Sequence, residues 1–302
     1  VQVADLGQCF SDLGWGPDWR TDTHASNIFN LMKSAHDFVT PDHIVLDVSA
    51  GEAKYKPFYH HGHYVALDST VGDKNWDYSR LDIVADAMHL PIRTASVDTV
   101  LNFTSLEHYP EPAAFFAEVS RVLKPGGKLF LFVPHFYEEH QQPYDFYRYT
   151  QYGLRYLCER NGLTVDAVDP VCNVAYSACS GIQVLINSLQ KLGGNDALCQ
   201  QLANTKTSLK ALSVQLDQIL VTNPAAAAVV SQMPLLYTLR AGKPGILRTE
   251  PHPADRIALL NQIMADPFEK KPITWDGVSE YISAELSNRR YPVIAGIPRF
   301  MS

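Results

Sequence analysis

The chain has 302 residues, 46% of them hydrophobic, and a formal net charge of −7. That is enough apolar material for one large core, or for a core with an appendage. The acidic balance argues against nucleic acid as the main partner, because phosphate neutralisation needs clustered Lys and Arg.

Five cysteines are scattered, at Cys9, Cys158, Cys172, Cys179 and Cys199, without a C-x-x-C pair. The pattern is unlike a disulfide framework or a zinc knuckle, and a reducing, cytoplasmic setting is the expectation. The opening VQVADLGQCF lacks a basic region followed by an apolar run, the mark of a signal peptide. No apolar stretch is long enough to span a bilayer, so no membrane partner is expected.

In chain order, Ile28, Leu31, Met32 and Ala35 recur at helical spacing within residues 26–39. Apolar runs then follow at 43–48 (HIVLDV), 64–68 (YVALD), 82–86 (DIVAD), 97–103 (VDTVLNF) and 128–133 (KLFLFV). Between the last two, residues 110–123 place Phe115, Val119 and Val122 on one helical face. Continuous apolar strands alternating with helices predict a parallel sheet covered on both faces. Thr150 is a candidate N-cap and Gly162 a candidate C-cap for a further helix, and 163–168 reads as a sixth strand. Residues 178–221 read as mainly helical, with Leu198, Leu202, Leu209, Leu212, Leu216 and Ile219 at three- and four-residue steps. Such a stripe packs on its own domain or on a sister subunit, a homodimer through this insertion. Residues 234–243 read as a final strand, and the prolines of 244–256 as a linker.

The expected organisation is a domain over 1–243, with a helical insertion at about 178–230, and a linker plus small C-terminal appendage over 244–302.

The loop after the first strand reads Asp47-Val48-Ser49-Ala50-Gly51-Glu52-Ala53. A parallel strand ending in a small-residue turn lets a ligand approach backbone N–H groups at the carboxyl edge of the sheet. Asp68 closes the second run, where a carboxylate can accept from both ribose hydroxyls of an adenosine. Asp86, followed by Ala87 and Met88, closes the third, where a polar and an apolar group suit an adenine edge and face. One strand-end Asp is an ordinary turn residue; three in order, beside a small-residue loop, point to a nucleotide site. A dinucleotide-binding dehydrogenase shares Asp47 and Asp68 but wants G-x-G-x-x-G, and this loop offers only Gly51.

The segments VLDVSAGEAKY, YVALD, DIVADAMHLPI and VDTVLNFTSLEHYPEPAAFFAEVSRVLKPGGKLFLFVP resemble successive motifs of the class I S-adenosylmethionine-dependent methyltransferases, of the type 11 methyltransferase domain group. The L-E-H turn (Leu106, Glu107, His108) and the run from Glu118 through Arg121 to Lys124-Pro125-Gly126-Gly127 carry the resemblance most specifically. It covers roughly residues 26–170, and more loosely to 243. It implies a Rossmann-like three-layer sandwich with a mostly parallel seven-stranded sheet, the last strand antiparallel, and S-adenosyl-L-methionine as cofactor. By position, Asp47, Ser49, Ala50 and Gly51 would border the methionine moiety. Asp68 and Ser69 would hold the ribose, Asp86 and Ala87 the adenine, and Asn102, Phe103 and Thr104 would line the pocket. The family loop usually has Gly where Ser49 and Ala53 stand; Ala53 costs little if that position is helical.

The resemblance implies methyl transfer to a small-molecule or glycan acceptor, with O-methylation the favoured form. A binding or regulatory protein that keeps the fold without catalysis, and S-adenosylmethionine chemistry other than methyl transfer, are the alternatives. The stretch from His140 to Thr150 resembles one in bacterial methyltransferases encoded with glycan-modifying enzymes. His135 and His140 are candidate bases, with Asp145 as orienter or alternative base; equally, Tyr144, Arg148 and Tyr149 could simply pack the helix, with Arg148 pairing Asp145. His108 is expected to serve the L-E-H turn. No metal is expected: the H-H-x-H set His60, His61 and His63 reads as a solvated loop, and the Asn102-Phe103-Thr104 sequon as a buried strand end. The ending Arg290 to Met301 resembles that of a small zinc-ribbon-like module found beside methyltransferases. In place of its C-P-x-C stands Asp266-Pro267-Phe268-Glu269, which implies a lost metal; from the residues alone, the ending is a β-hairpin with a Pro-fixed turn.

Overall fold

The computed structural model describes residues 3–15, 20, 22–193, 196–223, 232–248, 250–253, 255–279, 281–284 and 289–301. The strands are β1 (Ile44–Val48), β2 (His63–Asp68), β3 (Ile83–Ala85), β4 (Val97–Phe103), β5 (Leu123–Pro134), β6 (Thr164–Val171), β7 (Leu236–Gly242), β8 (Tyr281–Ala284), β9 (Arg289–Ile294) and β10 (Ile297–Phe300). The helices are α1 (Val3–Phe10), α2 (Thr23–Phe38), α3 (Pro112–Val122), α4 (Gln151–Arg160), α5 (Val174–Lys191), α6 (Asp196–Thr222) and α7 (Arg256–Ile263). None is long and apolar enough to cross a membrane.

One sheet runs in the order β6-β7-β5-β4-β1-β2-β3-β10-β9-β8. β1, β2, β3, β4 and β5 pair in parallel, and β7 runs against both its neighbours, β5 and β6. The seven strands expected from the sequence are therefore present with the last one reversed. The expected strand count is corrected: the sheet has ten strands, because the C-terminal segment adds β10 in parallel to the free edge of β3 and folds β9 and β8 antiparallel beyond it. An uncovered β3 edge would expose unpaired N–H and C=O groups, and β10 removes that liability. The β9–β10 hairpin turns at Ala295 and Gly296, with φ of 52° and 73°. Two positive φ values match the right-handed twist of the strands they join.

Period-two alternation sends each strand's residues to two cores. Ile44, Leu46, Val48, Leu129, Leu131 and Val133 pack with Phe115, Phe116 and Val119 of α3, Leu154 of α4 and Leu260 of α7. Val45, Ala66, Leu101, Phe130 and Phe132 pack with Ile28 and Met32 of α2. Of the two motifs that carry the family resemblance most specifically, the run from Glu118 to Gly127 is scaffold. Arg121 donates to both oxygens of Glu118 at 2.8 Å and to the carbonyls of Ile92 and Leu90, at 2.6 and 3.1 Å. Gly126 has φ of 85°, and a Cβ there would lie 2.3 Å from the Leu247 nitrogen, so only glycine fits.

The helical insertion is two helices, not one run. Gly193, at φ 77°, follows the end of α5; the part of the expected insertion at 194–195 and 224–230 lies outside the described residues. The pair folds back on its own domain. Asn173 donates to the Ser213 carbonyl and to Asp217, and Lys210 reaches Asp22, the N-cap of α2.

The tail lacks the cysteine pattern of a zinc ribbon. It holds no cysteine, and at the position of the missing C-P-x-C the buried Asp266 closes a turn. Its Oδ1 accepts from the Phe268 and Glu269 N–H groups at 2.8 and 2.7 Å, and its Oδ2 from the Tyr291 hydroxyl at 2.8 Å. The zinc-ribbon resemblance is therefore not supported; the ending is a β-hairpin as expected, but its turn is Ala295-Gly296 at positive φ and not a proline, since Pro292 and Pro298 lie within β9 and β10.

Candidate functional site

The β1 turn, the ends of β2, β3 and β4 and the segment after β5 lie along the carboxyl edge of the parallel strands, the edge where open α/β sheets bind ligands. Asp68 joins two of these elements. Its Oδ2 accepts from the Gly51 N–H at 2.9 Å and its Oδ1 from the Thr70 N–H at 2.6 Å. Burial raises its pKa, and the two backbone donors pull it back. A carboxylate has about four lone-pair sites, so each oxygen keeps room for one further donor. Ser69, beside it, accepts from the Val71 N–H at 3.4 Å.

Asp47 lies inside the protein. It is 1% exposed and accepts from the Tyr64 hydroxyl. Desolvation pushes its pKa up to about 7, with the nearby Asp68 charge adding to the rise. Ala50 is buried and donates to the Leu67 carbonyl. Ser49 and Ala53 both adopt left-handed backbone, at φ 62° and 51°. The condition under which Ala53 would cost little, a helical backbone, is not met: both positions are left-handed, where glycine is cheapest, and the local strain is of order 1–3 kcal/mol per residue. Ser49 has a compensating contact, its Oγ lying 2.7 Å from the Tyr109 hydroxyl.

At the end of β4, Asn102 is fully buried, and its Nδ2 lies 3.0 Å from the Val48 carbonyl, 2.7 Å from Ser105 Oγ and 2.8 Å from the Tyr109 hydroxyl. Its Oδ1 has no partner. It braces β1 against β4 instead of lining a pocket with its donors. Phe103 stacks on Phe132 with centroids 4.8 Å apart, inside the core. Thr104, at φ 50°, is the exposed member of the three. Asp86 closes its own turn, accepting from the Met88 N–H at 2.9 Å, with His89 Nδ1 at 3.1 Å. The Ala87 side chain is packed in the core, so a contact to an adenine there comes from backbone.

Sequence reasoning missed Trp76. A Cβ on Gly51 would lie 3.2 Å from its indole, and one on Gly72 3.1 Å from it. Trp76 thus covers the β1 turn from a loop that follows β2, and a ligand lying on Gly51 must displace it or stack on it. A lone Trp in a polar loop (VGDKNWDY) was the available signal.

After β5 the two candidate bases separate. His135 turns its Nδ1 to the Tyr149 carbonyl at 2.8 Å and packs on Tyr237 of β7. His140 turns the other way, towards β4, with its Nε2 3.7 Å from Glu107 Oε1. The Glu107 carboxylate raises the His140 pKa. Asp145 is held by Arg148 at 2.6 and 2.8 Å and accepts from the His140 N–H at 2.8 Å. The guanidinium lowers its pKa to about 2. Such a carboxylate is a poor proton acceptor, so Asp145 positions the His140 segment. The H-H-x-H set disperses: His60 bonds the Pro57 carbonyl, His61 the His36 carbonyl, and His63 packs on His252.

Residues 46–131 match the family model described as a methyltransferase domain. A "Probable S-adenosylmethionine-dependent methyltransferase" of Mycolicibacterium smegmatis is 40% identical over 68 residues, 22% of this chain and 26% of its own. The malonyl-[acyl-carrier protein] O-methyltransferase of Hahella chejuensis is 48% identical over 46 residues, 15% of this chain and 16% of its own. The chain thus spans about a quarter or less of the length of these relatives. Among solved structures, the [4+2]-cyclase SpnF has 16% identity and a TM-score of 0.45, over 72% of this chain and 82% of that one. An S-adenosylmethionine-dependent methyltransferase from Mesorhizobium loti has 14% identity and a TM-score of 0.44, over 71% and 97%.

Proposed function

We propose that this chain is an S-adenosylmethionine-dependent methyltransferase acting on a small-molecule or glycan hydroxyl. The observation that carries the reading is Asp68. One carboxylate at the end of β2 ties down the Gly51 N–H of the β1 turn and, with one donor on each oxygen, keeps acceptor capacity for further donors. It stands inside the segment that matches the methyltransferase-domain family.

The residues present fit the cofactor. Asp68 would accept from the ribose hydroxyls, the Ser49–Gly51 turn would border the methionine end, and the backbone at Asp86 and Ala87 would meet the adenine. When bound, the cofactor supplies a methyl group on a sulfonium, already activated for displacement. The chain's own work is then to position an acceptor in line with it and, for a hydroxyl, to receive a proton. His140, beside Glu107, and His135 are the proposed receivers. The acceptor side is the segment after β5, where Phe136, Tyr137, Tyr144, Phe146 and Tyr147 are all exposed. Exposed aromatic faces with polar rims suit a sugar ring or another small amphipathic acceptor.

Calorimetry with S-adenosylmethionine tests the cofactor, and S-adenosylhomocysteine release in the presence of an acceptor library tests the reaction. No binding at millimolar ligand refutes the reading. Binding without S-adenosylhomocysteine formation across the library favours a binding protein.

A further inference from the structure

Glu107, His108 and His140 converge. One ligand atom from each lies within 4.8 Å of the other two, the one such set of His, Cys, Asp or Glu among the described residues. Both His Nε2 atoms approach the same oxygen, Glu107 Oε1, at 3.8 Å from His108 and 3.7 Å from His140. Glu107 is 1% exposed, and its Oε2, like His108 Nε2, is buried without a hydrogen-bond partner. A buried carboxylate oxygen without a donor carries a full desolvation cost and calls for a partner.

The other ring nitrogens are already committed. His108 Nδ1 faces the Tyr144 carbonyl at 2.6 Å, and His140 Nδ1 the Glu138 carbonyl at 3.1 Å. A carbonyl accepts the Nδ1 proton, fixes the tautomer and leaves Nε2 as a lone-pair donor, the outer arrangement typical of metal-bound histidine. The backbone holds the carboxylate in place: the Phe146 N–H donates to the Glu107 carbonyl at 2.9 Å. The nearby Arg148 cation is held in a bidentate pair by Asp145, which offsets its charge.

We infer that Glu107, His108 and His140 bind a first-row divalent metal ion of the zinc type. Two imidazoles and one carboxylate form a borderline donor set that suits zinc and its neighbours better than magnesium or calcium. With metal–nitrogen bonds of about 2.0–2.1 Å, a tetrahedral site has ligand atoms about 3.4 Å apart. The 3.7 and 3.8 Å to Glu107 Oε1 need a contraction of a few tenths of an ångström, and the two ring nitrogens, within 4.8 Å of each other, need one of at most about 1.4 Å. Three protein ligands leave a position for water or for an acceptor oxygen. With the ion bound, His140 is a ligand and no longer a proton receiver. The ion also clamps the turn after β4 to the segment after β5.

The inference does not rest on the methyl-transfer reading. Chelator-stripped full-length protein is titrated with Zn²⁺ against a chromogenic competitor, and with Co²⁺ followed by its visible d–d bands. Wild type is expected to take up one equivalent. His140→Ala, on a partly exposed segment, and His108→Ala are each expected to weaken Zn²⁺ binding at least about tenfold, the effect of losing even a hydrogen-bonding partner of a ligand. The His60→Ala/His61→Ala double variant is expected to bind as wild type. No saturable site, unchanged affinity in folded His140→Ala, or binding lost in the double variant overturns the inference. S-adenosylmethionine affinity, measured alongside on wild type, fails or holds independently.

Discussion

Asp68 offers the sharpest test of the cofactor assignment, and the structure dictates which variant to make. Asp68→Ala removes the acceptors of the Gly51 and Thr70 N–H groups as well as those of a ribose. Two partly buried donors left unpaired cost about 1–3 kcal/mol each, so weak ligand binding by that variant would be confounded with damage to the β1 turn. Asp68→Asn keeps the shape and one acceptor oxygen, so only one of the two backbone donors loses its acceptor, a cost that the urea titration reads separately. It loses one charge-assisted bond to a ribose hydroxyl, about 1.5–3 kcal/mol, and converts the other to a neutral bond, about 1 kcal/mol. The sum, about 3 kcal/mol, corresponds to a rise in Kd of roughly a hundredfold. Calorimetry with S-adenosylhomocysteine reads the Kd, and circular dichroism with a urea titration reads the fold. Asp68→Asn with native-like spectra, an unchanged urea slope and wild-type affinity would refute the ribose assignment.

Trp76 covers the Gly51 turn, so cofactor binding should change its environment. Titrating wild type with S-adenosylmethionine is expected to shift or quench tryptophan emission, and Trp76→Phe to abolish the change while the other three tryptophans remain; an equal signal in Trp76→Phe places the ligand elsewhere. Asp47 gives a pH signature. Its pKa is raised by burial to about 7 in the folded chain against an ordinary 3.8. The ionised side chain is therefore disfavoured by folding: its contribution is most favourable below pH ~4 and is lost as the pH rises to about 7, on the order of 4 kcal/mol at full extent. Asp47→Asn, which can still accept from Tyr64, should gain stability relative to wild type between pH 5 and pH 8, read by urea unfolding. A pH-independent difference would count against a buried ionisable Asp47.

What the sequence by itself determined is what depends on near neighbours in the chain. Apolar runs of strand length, the four- and three-residue steps of α3 and the Thr150 cap locate their elements because period and capping are local properties. The small-residue turn with Asp68 and Asp86 places a ligand edge, since strand ends in a parallel sheet fall on one side. The ending at 290–301 reads as a hairpin, although the proline expected at its turn is replaced by Ala295-Gly296.

Tertiary structure decided whatever needed the chain to return on itself. No periodicity says that β10 seats on β3, because the register is set by an edge made two hundred residues earlier. The three nominated residues at the end of β4 look equivalent in sequence, yet only Thr104, just past the strand, is exposed, because Asn102 and Phe103 are drawn into contacts with Val48, Tyr109 and Phe132. The L-E-H turn reads as a family signature, and His140 as a loop histidine. Only packing brings His140 back over thirty residues to Glu107 and His108, where a carboxylate oxygen and a ring nitrogen lie buried without partners. Sequence specifies the ligand types; the closure of the segment after β5 onto the end of β4 sets their distances, and distance decides whether three such residues are loop furniture or a site.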